Sequence, residues 1–197
     1  MNCYTSKTNT LDNMEKPKSI LKFNEYLNEK EETKYEYGCS MLYFDFPQMK
    51  TLHDEIKEED IYDGDGTGLE NDPHVTLLYG LHSDEIKDDD VLEISVKGVM
   101  SIGLGNPSLF ENKKFDVLKF DAEAPFLDDI NAELSKLPHT TDFPEYHPHC
   151  TIAYLKPGKG KEYTKLFKGR IYEVFPTKVV YSKPDGTKKE ARFDLKK

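Results

Sequence analysis

Apolar residues recur along this 197-residue chain with two periods, one near two and one between three and four. Residues 37–46 (YGCSMLYFDF) form an aromatic and apolar run that predicts a strand. Pro47 then opens a predicted helix to about residue 57, with Met49, Leu52 and Ile56 on one face. Residues 74–80 and 149–155 are short apolar runs that predict strands. Residues 91–103 (VLEISVKGVMSIG) alternate in part and predict another, while residues 115–121 (FDVLKFD) alternate cleanly. Residues 125–137 begin at Pro125 and place Phe126, Leu127, Ile130, Leu134 and Leu137 at helical spacing. A short helix is expected over 161–168. Runs 177–182 and 190–194 flank PDGTKK, a hairpin signal. The segment 61–73 (IYDGDGTGLENDP) reads as a turn-rich loop. Its glycine register and the lack of a Glu at the twelfth position exclude an EF-hand. Residues 1–33 are polar and admit one amphipathic helix over 19–30, so they are expected to be a tail or appended helix before a single domain at 34–197. The mixture predicts an α+β class.

Composition narrows the setting. No apolar stretch is long enough to cross a membrane, and the N-terminus lacks the apolar segment of a secretory signal. Three cysteines, Cys3, Cys39 and Cys150, make no disulfide framework and no CxxC pair, which fits a reducing cytoplasm. The net charge of −10 excludes binding of long nucleic acid by bulk electrostatics. The charge is uneven, however: residues 156–197 hold 13 Lys and Arg against 5 Asp and Glu. That basic stretch could meet a small phosphate-bearing ligand or simply be a solvated surface. Oligomeric state is not legible.

One pattern carries chemistry. Pro73-His74-Val75-Thr76-Leu77-Leu78-Tyr79 returns 75 residues later as Pro148-His149-Cys150-Thr151-Ile152-Ala153-Tyr154. With 6 histidines and 13 threonines in 197 residues, fewer than one His-x-Thr triplet is expected by chance. Here two occur, both with the flanking Pro and Tyr. Side chains alternate along a strand, so His74 and Thr76 share one face, as do His149 and Thr151. Set side by side, the two strands would offer a phosphodiester one imidazole as base, one as acid, and two hydroxyls for its non-bridging oxygens. By the same alternation Tyr79 and Tyr154 should face the other way and pack. His147-x-His149 could chelate a metal, but no third or fourth ligand stands at a persuasive spacing. Neither metal nor other cofactor is expected.

These residues resemble the 2H phosphoesterase superfamily, named for two His-x-Thr/Ser motifs on pseudo-symmetric lobes. His74, Thr76, His149 and Thr151 match its defining positions, and the resemblance spans about residues 35–195. Within it the chain looks most like the phage anti-CBASS nucleases, through YEYGCSMLYF (35–44), GLENDPHVTLLYGLH (68–82), FDVLKFD (115–121) and HPHCTIAYL (147–155). The resemblance implies a LigT-like fold: two pseudo-symmetric lobes of mainly antiparallel sheet with flanking helices and a central cleft. It implies metal-independent cleavage of 3′,5′-linked cyclic di- or trinucleotides, in the host cytoplasm if the protein is viral. One histidine would deprotonate a ribose 2′-OH and the other would protonate the leaving 5′-oxygen; the sequence does not say which does which.

Bases are held by stacking, worth about 1–3 kcal/mol each. The chain has no Trp, so Tyr37, Phe110 in the loop before FDVLKFD, and Tyr181 beside the hairpin are the candidates. Glu145, Tyr146 and His147 precede the second motif and could rim the cleft. Two other functions compete: a cellular enzyme that opens 2′,3′-cyclic phosphates on RNA ends or small nucleotides, and a non-enzymatic sponge for a nucleotide signal.

Overall fold

Strand β1 (Gly38–Phe44) buries every second residue, as an alternating pattern with one core face requires. It is the first element of a computed structural model that describes residues 37–64, 67–141, 143 and 145–193. The helix expected over 19–30 lies outside the described residues. After β1 come α1 (Gln48–Asp54), β2 (His74–Leu81), α2 (Asp88–Ser95), β3 (Ile102–Glu111), β4 (Asp116–Glu123), α3 (Pro125–Leu134), β5 (His149–Leu155), α4 (Gly160–Leu166), β6 (Tyr172–Val174), β7 (Pro176–Ser182) and β8 (Lys188–Arg192). Among the described residues no helix is long and apolar enough to cross a membrane.

The strands form two four-stranded sheets, ordered β2-β1-β7-β8 and β5-β4-β3-β6, with every pairing antiparallel. Each motif strand is therefore the terminal strand of its sheet, and β2 and β5 lie against each other. The expected two-lobed α+β architecture is the one found. The lobes are not simple halves of the chain: the C-terminal hairpin β7–β8 returns to complete the first sheet. One core serves both lobes. Leu42, Val75 and Leu77 from the first meet Leu118, Cys150 and Ile152 from the second, all fully buried. Helix α3 adds Phe126, Leu127, Ile130 and Leu134, and α1 adds Met49 and Leu52.

A terminal strand exposes unpaired backbone groups, and each lobe supplies the loop that covers the other's. The loop after α3 runs along β2, where the Thr140 N–H donates to Gly80 O (2.9 Å) and the His82 N–H to Pro138 O (3.0 Å). The loop after α1 runs along β5, where the Tyr62 N–H donates to Tyr154 O (2.9 Å) and the Tyr154 N–H to Gly68 O (2.7 Å). Gly80 is needed at the first crossing. Its φ is +109°, and a Cβ there would stand 1.8 Å from Thr140 O.

Residues 91–103 are not one strand. Asp88, Asp89 and Asp90 occupy the first turn of α2, where carboxylates favour the positive helix end, and Val91 and Ser95 turn inward four residues apart. The buried Ser95 and Ser40 hydroxyls meet at 2.9 Å, tying α2 to β1. Strand β3 begins only at Ile102 and continues through Gly-Asn-Pro-Ser, a stretch that reads as a turn. It survives because the register slips between Gly105 and Pro107, with Asn106 at a φ of +47°. Phe110 consequently stands on a strand, not in the loop where the sequence had placed it. The three-residue β6 carried no sequence signal of its own.

Candidate active site

The two motifs are built alike. His74 and Thr76 face out of the core from β2 while Val75 and Leu77 face in; His149 and Thr151 do the same on β5, with Cys150 and Ile152 inward. His74 Nδ1 lies 2.7 Å from Asp72 O and His149 Nδ1 lies 2.8 Å from His147 O. A carbonyl only accepts, so Nδ1 carries a proton in both rings, and Nε2 is the atom of each that is left to give or take one. Pro73 and Pro148 fix φ between each carbonyl and its ring. Their own carbonyls accept from the Phe44 N–H (3.3 Å) and the Ala122 N–H (2.9 Å) of the neighbouring strand.

The likeness extends to a defect in each ladder. Ser40 pairs Leu78 and Met41 pairs Thr76, which leaves Leu77 as an extra residue; Leu118 pairs Ala153 and Lys119 pairs Thr151, which leaves Ile152. Each strand thus bulges one residue after its threonine. The bulge shifts alternation by one, giving both strands the same burial sequence of two successive inward residues. Tyr79 therefore returns to the face of His74 and Thr76, against the simple alternation expected from sequence. Tyr154 turns in the same way but packs edge-on against the buried Phe115, centroids 5.5 Å apart.

A hollow of about 380 Å³ opens between the strands, walled by Thr76, Tyr79, Phe110, Phe143, Tyr146, His147 and His149. The Tyr146 hydroxyl donates to Thr76 O (2.9 Å), pinning the loop before the second motif to the first motif's strand. Phe110 stands edge-on to His149, centroids 5.0 Å apart, with Lys119 Nζ 4.5 Å from its ring centre. Tyr43 leans on His74 at 5.2 Å, with Lys178 Nζ 5.4 Å from the tyrosine ring centre. A larger hollow of about 790 Å³ lies beyond Tyr43, bounded by Asp72, Pro73, Phe46, His53 and Lys178.

Charge separates the lobes. Lys119 is 5% exposed, and its ammonium donates to Ser108 Oγ and Asp121 Oδ1, both at 2.8 Å. Asp121 also accepts from Ser108 and Asn106. Burial lowers the His149 pKa to about 4, helped by the Lys119 and His74 charges and opposed by the His147 carbonyl and Asp121. His149 is thus neutral at pH 7. Burial pushes the Cys39 and Cys150 thiols up to about 12, which excludes both as thiolate nucleophiles.

Of the residues singled out for base binding, Phe110 and His147 wall the hollow. Tyr37 sits one ring away, stacked on His82 at 5.4 Å and edge-on to Tyr79 at 6.3 Å. Tyr181 is a correction: it is fully buried on β7, and its hydroxyl donates to Ser83 Oγ (2.8 Å), so no ligand can stack on it. Its strand alternates differently from the hairpin-side position assumed for it. Sequence reading missed Lys119, Tyr43, Tyr79, Asn131 and His53. Tyr43 and Lys119 gain their place only through strand register, Tyr43 pairing His74 and Lys119 pairing Thr151. Among the described residues no three His, Cys, Asp or Glu side chains are grouped as a metal ion needs.

No protein-family profile and no curated protein sequence matches this chain. Its fold is shared with solved structures. Kluyveromyces marxianus Usb1 superposes with a TM-score of 0.53 at 10% identity, covering 81% of this chain and 99% of that one. The same protein with uridine monophosphate gives 0.51 at 9% identity over 81% and 99%. E. coli LigT complexed with phosphate is a weaker likeness, 0.40 at 12% identity over 80% and 95%.

Proposed function

We propose that this chain is a metal-independent two-histidine phosphodiesterase acting at the ribose phosphodiester of a small nucleotide. The observation that carries the reading is the pair of imidazoles on adjacent strands, each locked by the same Nδ1–carbonyl bond with Nε2 open. Fold likeness to a Usb1 seen with uridine monophosphate supports a nucleotide-sized occupant.

His149, held neutral by burial and Lys119, takes the proton of the ribose 2′-OH. The 2′-oxygen then attacks the adjacent phosphorus. His74, as the imidazolium, gives its Nε2 proton to the leaving oxygen as the old P–O bond breaks. Thr76 and Thr151 donate to the non-bridging oxygens, whose charge grows in the transition state. A 2′,3′-cyclic phosphate results. In its hydrolysis His74, now neutral, activates water, and the protonated His149 returns its proton to the 2′-oxygen, leaving a 3′-phosphate. The hollow walled by Phe110, Tyr79 and Tyr146 receives the base by stacking, with Tyr37 behind it and His147 at its rim.

The preferred substrates are 2′,3′-cyclic nucleotides and RNA ends, the class that needs one base pocket beside one phosphorus. A second reading, cleavage of cyclic di- or trinucleotide messengers in the manner of the anti-CBASS nucleases, draws on the larger hollow bounded by Tyr43, Asp72 and Pro73. Two hollows, one lined by His149 and the other by Pro73 beside His74, suit a ligand with two bases. Mass-spectrometric product analysis separates the two. Purified protein is incubated in EDTA with 2′,3′-cyclic mononucleotides, short RNA, and cyclic di- and trinucleotides. Opening of the mononucleotide alone supports the first reading, and linearised cyclic dinucleotide supports the second. No product from any of them, or retention of intact ligand without turnover, overturns the enzymatic reading in favour of a binding module.

A further inference from the structure

Each motif strand bulges one residue after its threonine, and the carbonyl at each bulge is held by one side chain from one helix. Asn131 Nδ2 on α3 donates to Leu77 O at 2.7 Å. On α1, His53 Nε2 lies 3.0 Å from Ile152 O, so that nitrogen is the donor. The two donors stand at the same offset from a proline at a helix start: His53 is the sixth residue after Pro47, which caps α1, and Asn131 the sixth after Pro125, the first residue of α3. Their targets also match, Leu77 following Thr76 and Ile152 following Thr151. Each donor reaches across the lobe boundary: His53 comes from the first lobe's helix to the second lobe's strand, and Asn131 from the second lobe's helix to the first lobe's strand.

A bulge leaves a carbonyl outside the ladder, and a buried carbonyl without a donor is costly. The Ile152 carbonyl also accepts from the Glu70 N–H (3.0 Å), so His53 shares that site with the covering loop. We infer that Asn131 and His53 are a symmetric pair of positioning residues: they hold the bulges that set Thr76 and Thr151 against the phosphate and turn Tyr79 into the base pocket. Neither touches the reacting atoms. The inference rests on the phosphodiesterase reading, because it assigns the threonines their partner.

The bonds also fix the chemistry required of each donor. Any side chain with an N–H at the right reach suffices, so His53 acts here without titrating. Glutamine should replace it and leucine should not.

The test compares Asn131→Leu, His53→Leu and His53→Gln with the wild type on a 2′,3′-cyclic mononucleotide and a cyclic dinucleotide. Misplacing a group by about 1 Å can cost about 100-fold in rate, so the leucine variants should lose tenfold to that much in kcat, with KM little changed in His53→Leu and raised in Asn131→Leu, whose bulge also turns Tyr79. His53→Gln should recover most of the loss. The double variant Thr76→Ala/Asn131→Leu should be no slower than Thr76→Ala alone, because Asn131 acts through Thr76. Leucine variants with wild-type kcat, additive losses in the double variant, or a glutamine variant as slow as the leucine one would each overturn the inference. Should Asn131→Leu fail to fold, the His53 pair decides alone. A wild type that cleaves neither substrate sinks the enzymatic reading instead, and is recognised by having no rate from which ratios could be formed.

Discussion

The two lobes agree wherever the backbone is concerned and differ in what stands beside it. Both motif strands are terminal, bulge at the same residue, fix a histidine through Nδ1 and accept a side chain at the bulge. Beside Thr76 and His74, however, β1 places Met41 and Tyr43, whereas beside Thr151 and His149 β4 places Lys119 and Asp121. A symmetric scaffold alone would give two equivalent imidazoles. On the phosphodiesterase reading one must carry a proton and the other not, and the burial of His149, helped by the Lys119 charge, supplies that difference. Symmetry sets the geometry, and on this reading burial and the neighbouring strand's Lys119 assign the roles.

The largest test of that comparison removes one imidazole at a time. His74→Ala and His149→Ala should each lower kcat by about 10²–10⁴-fold. Binding of a 2′,3′-cyclic mononucleotide, measured by calorimetry, should persist in both. A lobe whose histidine could be removed at little cost would leave the catalytic pairing without a partner. The threonines come next. Loss of a hydrogen bond to a charged oxygen costs about 1.5–3 kcal/mol, so Thr76→Ala and Thr151→Ala should each fall short of the histidine effects in single-turnover rates. They should also resemble each other, since their backbones do.

Lys119→Met copies Met41 into the second lobe and should move a pH profile more than a rate. In cleavage of a 3′,5′-linked ribose phosphodiester, where His149 is the base, it works only while unprotonated, so kcat/KM on that substrate is lost as pH falls through its pKa, near 4. Lys119 is one of the charges that lowers this value, and removing it also leaves Asp121 without its cation. Both changes raise the His149 pKa toward its ordinary value. The acid limb of kcat/KM should therefore shift upward in the variant. An acid limb that stays in place would transfer the base role to His74.

Much of the scaffold was legible because local pattern and burial agreed. The strand run FDVLKFD, the proline-opened helices and the repeated Pro-His-x-Thr all reappear as β4, α1, α3 and the paired motif strands, although β4 is buried on both faces from Asp116 to Phe120 instead of alternating. What failed has a common physical cause: strict alternation was assumed where the backbone breaks it. The bulges at Leu77 and Ile152 reverse the face of Tyr79, and the slip at Asn106 carries β3 through a turn-like stretch to bring Phe110 onto His149. The polar partners were hidden for a different reason. Lys119, Asn131 and His53 lie far from the motifs in sequence and acquire meaning only through the register of β4 with β5 and the packing of two helices.

The smallest effect is expected where the sequence pointed to stacking and the structure shows burial. Tyr181 belongs to β7, and its pairing with Ser40 sends the ring into the core rather than toward the cleft. Tyr181→Phe removes only the hydroxyl that donates to Ser83, and a typical hydrogen bond contributes about 1 kcal/mol net. For a chain of this size that corresponds to about 2–4 °C in Tm, readable by calorimetry, with kcat and KM unchanged. Phe110→Ala provides the contrast. Its ring walls the hollow and touches His149, so its loss should raise KM for a nucleotide by the about 1–3 kcal/mol of a stacked base. An aromatic residue lying against the motif would then report through binding and one in the core through melting. A raised KM in Tyr181→Phe with unchanged Tm would break that division and place β7 in the cleft.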